Sequence, residues 1–273
     1  MKIAIFPNFL KEGTAELFKK TVEILNENSA RCFATHPADN VTVFPEEELY
    51  QTADVIITIG GDGTLIKCAK NASRYGKPCL GINTGRLGFL TNIEKNQIDL
   101  LGKLVKGEFT VESRMMLSVK AVSKDKLLYE GFALNDAVVS SDSVAKIAEI
   151  SLNVSGDEIV YLADGVIFST PTGSTAYSMS AGGPIIDPKV RCITVTPICS
   201  HSLTARPMLA HESAEMIVSL GEASRTTAFL TVDGEGCGAV DFDTKIYIST
   251  SPYDVKLINV SNNTIYKTVS QKF

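Results

Sequence analysis

The chain has 273 residues, 44% of them hydrophobic and 21% charged, a length that fits two domains with enough apolar mass for a real core. Its net charge of −5 excludes a non-specific nucleic-acid binder, which needs a basic surface, but not phosphate-bearing small molecules, which need only local N–H groups and one or two cations. No apolar run reaches the length of a membrane span, the opening MKIAIFPNFLKEG lacks a secretory signal's make-up, and six cysteines without a CxxC pair read as reduced thiols, so the expected setting is the cytoplasm.

The first hundred residues alternate strand and helix patterns. Residues 2–6 (KIAIF) make a short apolar strand. Residues 11–26 carry Ala15, Leu17, Phe18, Val22 and Leu25 near helical spacing. A second strand fits 31–35. Residues 53–59 (ADVIITI) are a nearly continuous β-branched run, the pattern of a parallel strand covered on both faces. A helix over 64–75, a strand over 78–82 and a helix over 98–105 follow. Such alternation predicts a doubly wound parallel sheet, an α/β domain spanning 1–110.

From residue 111 strands dominate: 117–122, 127–134, 137–140, 147–154, 158–162, 165–169, 193–197, 215–220, 228–232 and 245–250. Turn pairs such as Ser155-Gly156 and Asp233-Gly234 separate several of them. This predicts an all-β, sandwich-like second domain over 111–254, interrupted by one short helix near 174–181. The strand-like piece 255–260 and the tail to residue 273 are expected to return to the first domain.

Gly60-Gly61-Asp62-Gly63-Thr64 sits where a parallel strand ends and a helix begins, the place where open α/β sheets bind ligands. Three glycines allow positive φ and close approach of an anion. The helix start offers free N–H groups, and Thr64 offers an N-cap or a hydroxyl donor. Asp62 is the informative residue. A carboxylate beside a phosphate loop makes sense if a divalent cation lies between them, or if it receives a proton from an attacking alcohol; both belong to phosphoryl transfer. The loop fits neither GxxxxGK[ST] nor GxGxxG.

Gly60–Thr64 resembles the phosphate loop of a kinase superfamily that holds NAD kinases, diacylglycerol and sphingosine-type lipid kinases, and phosphofructokinases. Further blocks resemble the NAD kinases in particular. They are GINTGRLGFLT (81–91), Leu134-Asn135-Asp136, Asp164-Gly165, the run STPTGSTAYSMSAGGPI (169–185), Thr196-Pro197-Ile198-Cys199, His201-Ser202-Leu203-Thr204, Arg206-Pro207 and Asp233-Gly234.

That resemblance implies transfer of the γ-phosphate of ATP to the 2′-hydroxyl of the adenosine ribose of NAD. It implies Asp62 as the catalytic group and Gly60, Gly61, Gly63 and Thr64 as phosphate contacts, with Arg86 and Arg206 as candidate phosphate partners. For the dinucleotide it implies Asp62, Gly63, Phe89, Asn135, Asp136, Lys146, Asp164, Thr175, Ala176, Tyr177, Ser178, Ser180, Cys199 and Glu235. Among these, an amide and a carboxylate at Asn135-Asp136 suit an adenine edge and ribose hydroxyls, although a polar strand start reads the same way. Tyr177 and Phe89 suit a flat heterocycle. Cys199 suits either ligand contact or small buried packing. The implied partners are ATP with Mg²⁺ or another divalent cation, NAD, and further copies of the chain in a dimer or tetramer. No organic cofactor held tightly, no nucleic acid and no membrane is expected.

Some positions depart from the family's pattern. Leu162 stands where many members carry a basic residue facing the nicotinamide end, which bears on the choice between NAD and NADH. Ala205 replaces a polar residue, and Glu235 stands where some members have Gln. Three rival readings are a lipid kinase sharing the loop, a non-catalytic NADP sensor, and a dinucleotide-dependent oxidoreductase. The missing GT-x-N-D segment argues against the first, the intact loop against the second, and the missing GxGxxG against the third.

Overall fold

The computed structural model describes residues 1–85, 88–142, 147–221, 227–261 and 263–272. The chain divides into two compact units, Met1–Ser113 with Val255–Phe273, and Arg114–Asp254.

The first unit runs β1 (Lys2–Pro7), α1 (Thr14–Glu27), β2 (Arg31–Ala34), β3 (Val41–Val43), α2 (Glu46–Thr52), β4 (Val55–Gly60), α3 (Asp62–Arg74) and β5 (Cys79–Asn83). Then come β6 (Ile93–Glu94), a 3-10 turn (Lys95–Leu100) leading into α4 (Leu101–Val105), and β7 (Thr110–Arg114). The tail adds a strand, Val255–Asn259, and a helix, Ile265–Lys272. The sheet order is β3-β2-β1-β4-β5, then the tail strand and β7, and the pairings from β3 to the tail strand are parallel.

The apolar run predicted as a doubly covered strand is β4, buried at every position. Its Val55, Ile57 and Ile59 join Ile3, Ile5, Leu80 and Ile82 in a core that α1 (Leu17, Phe18, Val22, Leu25) and α4 (Leu101, Leu104) close. Helix α3 covers the other face, with Leu65 against Gly81. Two starts differ from the sequence pattern. Helix α1 begins at Thr14, because residues 8–13 form turns with Gly13 at φ 76°. Helix α3 begins at Asp62, two residues earlier than expected. Strand β3 and helix α2 are too short for their periodicity to stand out, and the tail helix was not anticipated.

The second unit holds β8 (Leu117–Ser123), β9 (Lys126–Ala133), β10 (Asp136–Ser141), β11 (Ala148–Val154), β12 (Asp157–Ala163) and β13 (Gly165–Ser169). A 3-10 turn (Thr172–Thr175) and α5 (Tyr177–Ser180) follow. Then come β14 (Cys192–Ile198), β15 (Met208–His211), β16 (Met216–Leu220), β17 (Ala228–Val232), β18 (Glu235–Val240) and β19 (Thr244–Thr250). They build two antiparallel sheets, β15-β14-β13-β10-β17-β18 and β12-β11-β16-β19-β8-β9. Alternating residues of both (Val139, Val166, Phe168, Val195 and Leu230 against Val119, Ile150, Leu152, Val218 and Ile246) fill one core, the arrangement of a β-sandwich. Strand β18 (EGCGAV) escaped the sequence pattern because two glycines break its apolar alternation. Among the described residues, no helix is long and apolar enough to cross a membrane.

Candidate active site

In the first unit, the order of β1 beside β4 matters. Their following helices pack on opposite faces of the sheet, so the turn after β1 and the Gly60–Thr64 loop lie at the strands' carboxyl ends, the place where open α/β sheets bind ligands. Gly60 closes β4, and its carbonyl accepts Thr84 N–H at 2.9 Å. Gly61 is the N-cap of α3 with extended backbone (φ −115°, ψ −172°), and Asp62 opens the helix.

The loop glycines are therefore not at positive φ, contrary to the sequence expectation. What they provide is space. A β-carbon on Gly60 would collide with the Thr64 side chain, and one on Gly61 would lie 2.6 Å from Lys11 Nζ. Beside Gly63 nothing lies within 4 Å, so that position opens outward. Thr64 is not the N-cap; it sits in the first turn, and its Oγ1 accepts from Asn8 Nδ2 at 3.1 Å, which leaves its own proton to donate.

The Asp62 carboxylate is wrapped by the chain segment after β5. Oδ2 accepts Phe89 N–H at 2.7 Å, while Oδ1 accepts Thr91 N–H at 3.0 Å, Thr91 Oγ1 at 3.1 Å and Leu90 N–H at 3.3 Å. Gly88 makes this possible, because any β-carbon there would collide with Asp62 Oδ1 and Thr91 Oγ1. The segment is anchored in turn by Asn92. Its Oδ1 accepts from Val260 N, Ser261 N and Ser261 Oγ, and its Nδ2 donates to Asn259 Oδ1 at 3.1 Å. Phe89 carries Lys272 Nζ of the tail helix over its ring, 3.9 Å from the centroid. Gly88, Thr91, Asn92, Asn8 and Lys11 were not singled out from sequence. The first two lie inside the GINTGRLGFLT block, but no spacing rule says that three consecutive N–H groups there converge on Asp62.

The second unit arranges its residues along the outer face of one sheet. Asp136 opens β10, pointing away from the core that takes Ala137 and Val139. Hairpin residue Asp233, at φ 49° with Gly234 at 78°, turns its carboxylate onto the chain before β10. It accepts from Leu134 N at 3.0 Å, Asn135 N at 2.7 Å and Asp136 N at 3.2 Å. Thr170 fixes the same segment from the other side: its N–H donates to Asn135 O at 2.9 Å and its Oγ1 to Leu134 O. Gly173 packs so closely on the Asn135 carbonyl that no β-carbon fits.

The Asn135 backbone is thus held on three sides, while its side-chain amide has no protein partner among the described residues. Asp136 is 5% exposed. Burial, followed by the nearby Asp233 carboxylate, pushes its carboxyl up to about 7.

Helix α5 lies over β13 and β14. Ser178 is fully buried, with its hydroxyl 3.0 Å from Thr196 Oγ1, so it ties the helix down rather than facing outward. Tyr177 (46% exposed) and Ser180 are open, and Thr175 and Ala176 are half-buried. At the far end of β13, Asp164 is exposed and its N–H donates to Ile198 O at 3.0 Å. Cys199 follows at φ 48° and is exposed, which removes the buried packing role considered for it. Asp136 pairs with Ser169, and Asp164 precedes Gly165. The two ends are therefore separated by the length of β13, about 16 Å at 3.3 Å per residue. Glu235 is exposed beside the Asp233-Gly234 turn. Leu162 is exposed, and its carbonyl accepts His201 N–H at 2.9 Å. Arg86 and Lys146 lie outside the described residues; Arg206 donates to the carbonyls of Leu203 and Ala205.

The chain matches the ATP-NAD kinase N-terminal domain over residues 4–109 and the ATP-NAD kinase C-terminal domain over 134–260. It is 35% identical over 278 residues to the NAD kinase of Thermoanaerobacter sp. (strain X514), covering 99% of this chain and 98% of that one. It is 38% identical over 246 residues to the NAD kinase of Acetivibrio thermocellus, covering 86% and 84%. Among solved structures, an NAD kinase from Archaeoglobus fulgidus in complex with ATP aligns with TM-score 0.74 at 28% identity, covering 100% of this chain and 98% of that one. Yeast NADH kinase complexed with NADH shares the fold, with TM-score 0.86 at 23% identity, covering 99% and 85%.

Proposed function

The chain belongs to the NAD kinase family and is an ATP-dependent enzyme that phosphorylates NAD to NADP, and from that premise we propose that Asp62 performs the proton transfer. The 2′-hydroxyl oxygen of the adenosine ribose attacks the γ-phosphorus of ATP. As that O–P bond forms, the bond from the γ-phosphorus to the bridging oxygen breaks and ADP leaves. The hydroxyl proton passes to Asp62 Oδ2. The observation that carries this reading is the uneven wrapping of the carboxylate. Three donors engage Oδ1 and one engages Oδ2, so Oδ2 keeps acceptor capacity while the group as a whole cannot turn. In a loose transition state positioning outweighs basicity, and a carboxylate locked by backbone N–H groups suits that demand.

The amides at the start of α3, together with Gly60, Gly61, Gly63 and Thr64, would hold the phosphates; the open space at Gly63 supports close approach there. Mg²⁺ is the usual partner of ATP and would offset charge on the phosphoryl oxygens. Among the described residues no group of three or more His, Cys, Asp or Glu is placed to hold a metal.

Residues 111–254 would serve as the dinucleotide-binding domain, and residues 1–110 with the tail as the phosphate-loop domain. Asn135 and Asp136 would meet the adenosine part. Thr175, Ala176 and Tyr177 would line the heterocycle. Asp164, Ser180 and Cys199 would reach towards the nicotinamide, with Glu235 at the rim, and Ser178 would fix α5 through Thr196. A homodimer or homotetramer in the cytoplasm completes the reading.

The test is a 2′-phosphorylation assay with ATP, Mg²⁺ and either NAD or NADH. Asp62→Asn is expected to lose about 10²–10⁴-fold in kcat with NAD. Wild-type turnover in the variant would remove Asp62 from the chemistry, and the NADH lane reports the effect of uncharged Leu162.

A further inference from the structure

The turn between β1 and α1 brings a cation onto the phosphate loop. Asn8 is its pivot. Asn8 N–H donates to Ile59 O at 2.9 Å and its Nδ2 to Thr64 Oγ1 at 3.1 Å, so the turn is fastened to both ends of the Gly60–Thr64 segment. Leu10 N–H donates to Asn8 Oδ1 at 3.2 Å, Lys11 N–H to Asn8 O at 3.0 Å and Thr14 N–H to Lys11 O at 3.3 Å. The Lys11 backbone is therefore fixed at both sides. Its ammonium lies against Gly61, where a β-carbon would come within 2.6 Å of Nζ. Among the described residues no carboxylate pairs with it.

This placement is electrostatically wrong for an empty loop. The first turn of α3 carries the helix's positive end, and its one carboxylate, Asp62, is taken up by the amides of residues 89–91, so an ammonium there faces helix charge of its own sign. A cation normally gains by sitting at the other end of a helix. The arrangement becomes favourable when a polyanion lies between the ammonium and the backbone N–H groups, because both then act on it together.

We infer that Lys11 grips the terminal phosphates of the ATP donor and offsets the charge carried on the transferring phosphoryl oxygens. The inference rests on the kinase reading of the same loop and adds a substrate-binding residue to it. A lone lysine in a turn reads as solvated in sequence; only the fastening through Asn8 sets it over the loop.

The experiment compares Lys11→Met and Lys11→Arg with the full-length wild-type protein. Steady-state rates are taken with ATP varied at saturating NAD and with NAD varied at saturating ATP. ATP, ADP and AMP are also titrated directly without NAD. Lys11→Met should raise the KM for ATP by about tenfold to a hundredfold, the usual effect of losing a charge-assisted hydrogen bond. The KM for NAD should not move. The binding defect should be largest for ATP, smaller for ADP and absent for AMP, and Lys11→Arg should keep most of the affinity. An unchanged KM for ATP in Lys11→Met, or an equal loss for ATP and AMP, overturns the inference. Activity lost in Asp62→Asn but intact in Lys11→Met defeats this inference alone. If the wild-type protein transfers no phosphate to NAD, the kinase reading fails, and the three nucleotide titrations still decide Lys11.

Discussion

Asp136 and Asp233 show how burial, and after it a neighbouring carboxylate, sets the state of a carboxyl group. Asp233 is occupied by the backbone N–H groups of residues 134–136, so it acts as a strut for the segment that presents Asn135. Asp136 sits next to it, buried, and its carboxyl rises from 3.8 to about 7. A raised carboxyl pKa means that the folded chain holds the proton more tightly than the unfolded chain. The resulting stabilisation is complete below the unfolded value and is lost as pH climbs through the folded one. The stability of the wild type relative to Asp136→Asn should therefore fall as pH rises from about 4 to 7, by about 4 kcal/mol in all, and be flat above that. Urea melts of both proteins across this range measure the difference. Asp233→Asn removes the second cause and should move the transition to lower pH. A pH-independent difference would show that Asp136 is ionised throughout. In sequence, Asp233-Gly234 reads as a hairpin turn and as one of the blocks that resemble the NAD kinases; its grip on residues a hundred positions earlier depends on the pairing of β10 with β17.

At the scale of elements, the segment after β5 is the piece on which the chemistry depends. It is short and gains its shape from polar bonds, to Asp62 at one end and through Asn92 to the tail strand at the other. Gly88→Ala tests this directly. A methyl group cannot enter between Asp62 and Thr91, so the segment must move away by about an ångström, and such a shift costs around 10²-fold in kcat. The melting temperature should change little, since the segment lies outside the main cores. Full activity in Gly88→Ala would mean that Asp62 does not depend on this wrapping. Helix α5 follows the same logic in the second unit: a single turn, too short to be stable alone, is fixed by Ser178 on Thr196 and by Gly173 on Asn135. Its existence was legible from the sequence, but the burial of Ser178 was not, because Ser178 and Ser180 stand in the same single turn and nothing local says which of the two points inward.

At the scale of the molecule, the two units differ in how they use the chain. The second unit closes on itself, since Leu117 of β8 pairs with Thr250 of β19 near its two ends. The first is completed only by the tail strand, which lies between β5 and β7. A fragment of residues 114–254 should therefore fold cooperatively, while residues 1–113 should not until 255–273 is joined to them by a flexible linker. Thermal melts followed by circular dichroism decide this, and cooperative folding of 1–113 alone would contradict it. The sequence by itself determined the covered parallel strand, the switch to antiparallel strands near residue 111 and the phosphate loop at a strand's carboxyl end. Those features follow from local hydrophobic periodicity and turn chemistry, which neighbouring residues suffice to specify. Only the tertiary structure decided that the loop glycines provide space rather than positive φ, that Asp62 is locked by three consecutive N–H groups, that Asp233 holds Asn135, and that Lys11 lies over Gly61. Each of these joins residues distant in sequence through bonds whose direction is set by strand order, and strand order leaves no mark on the local pattern.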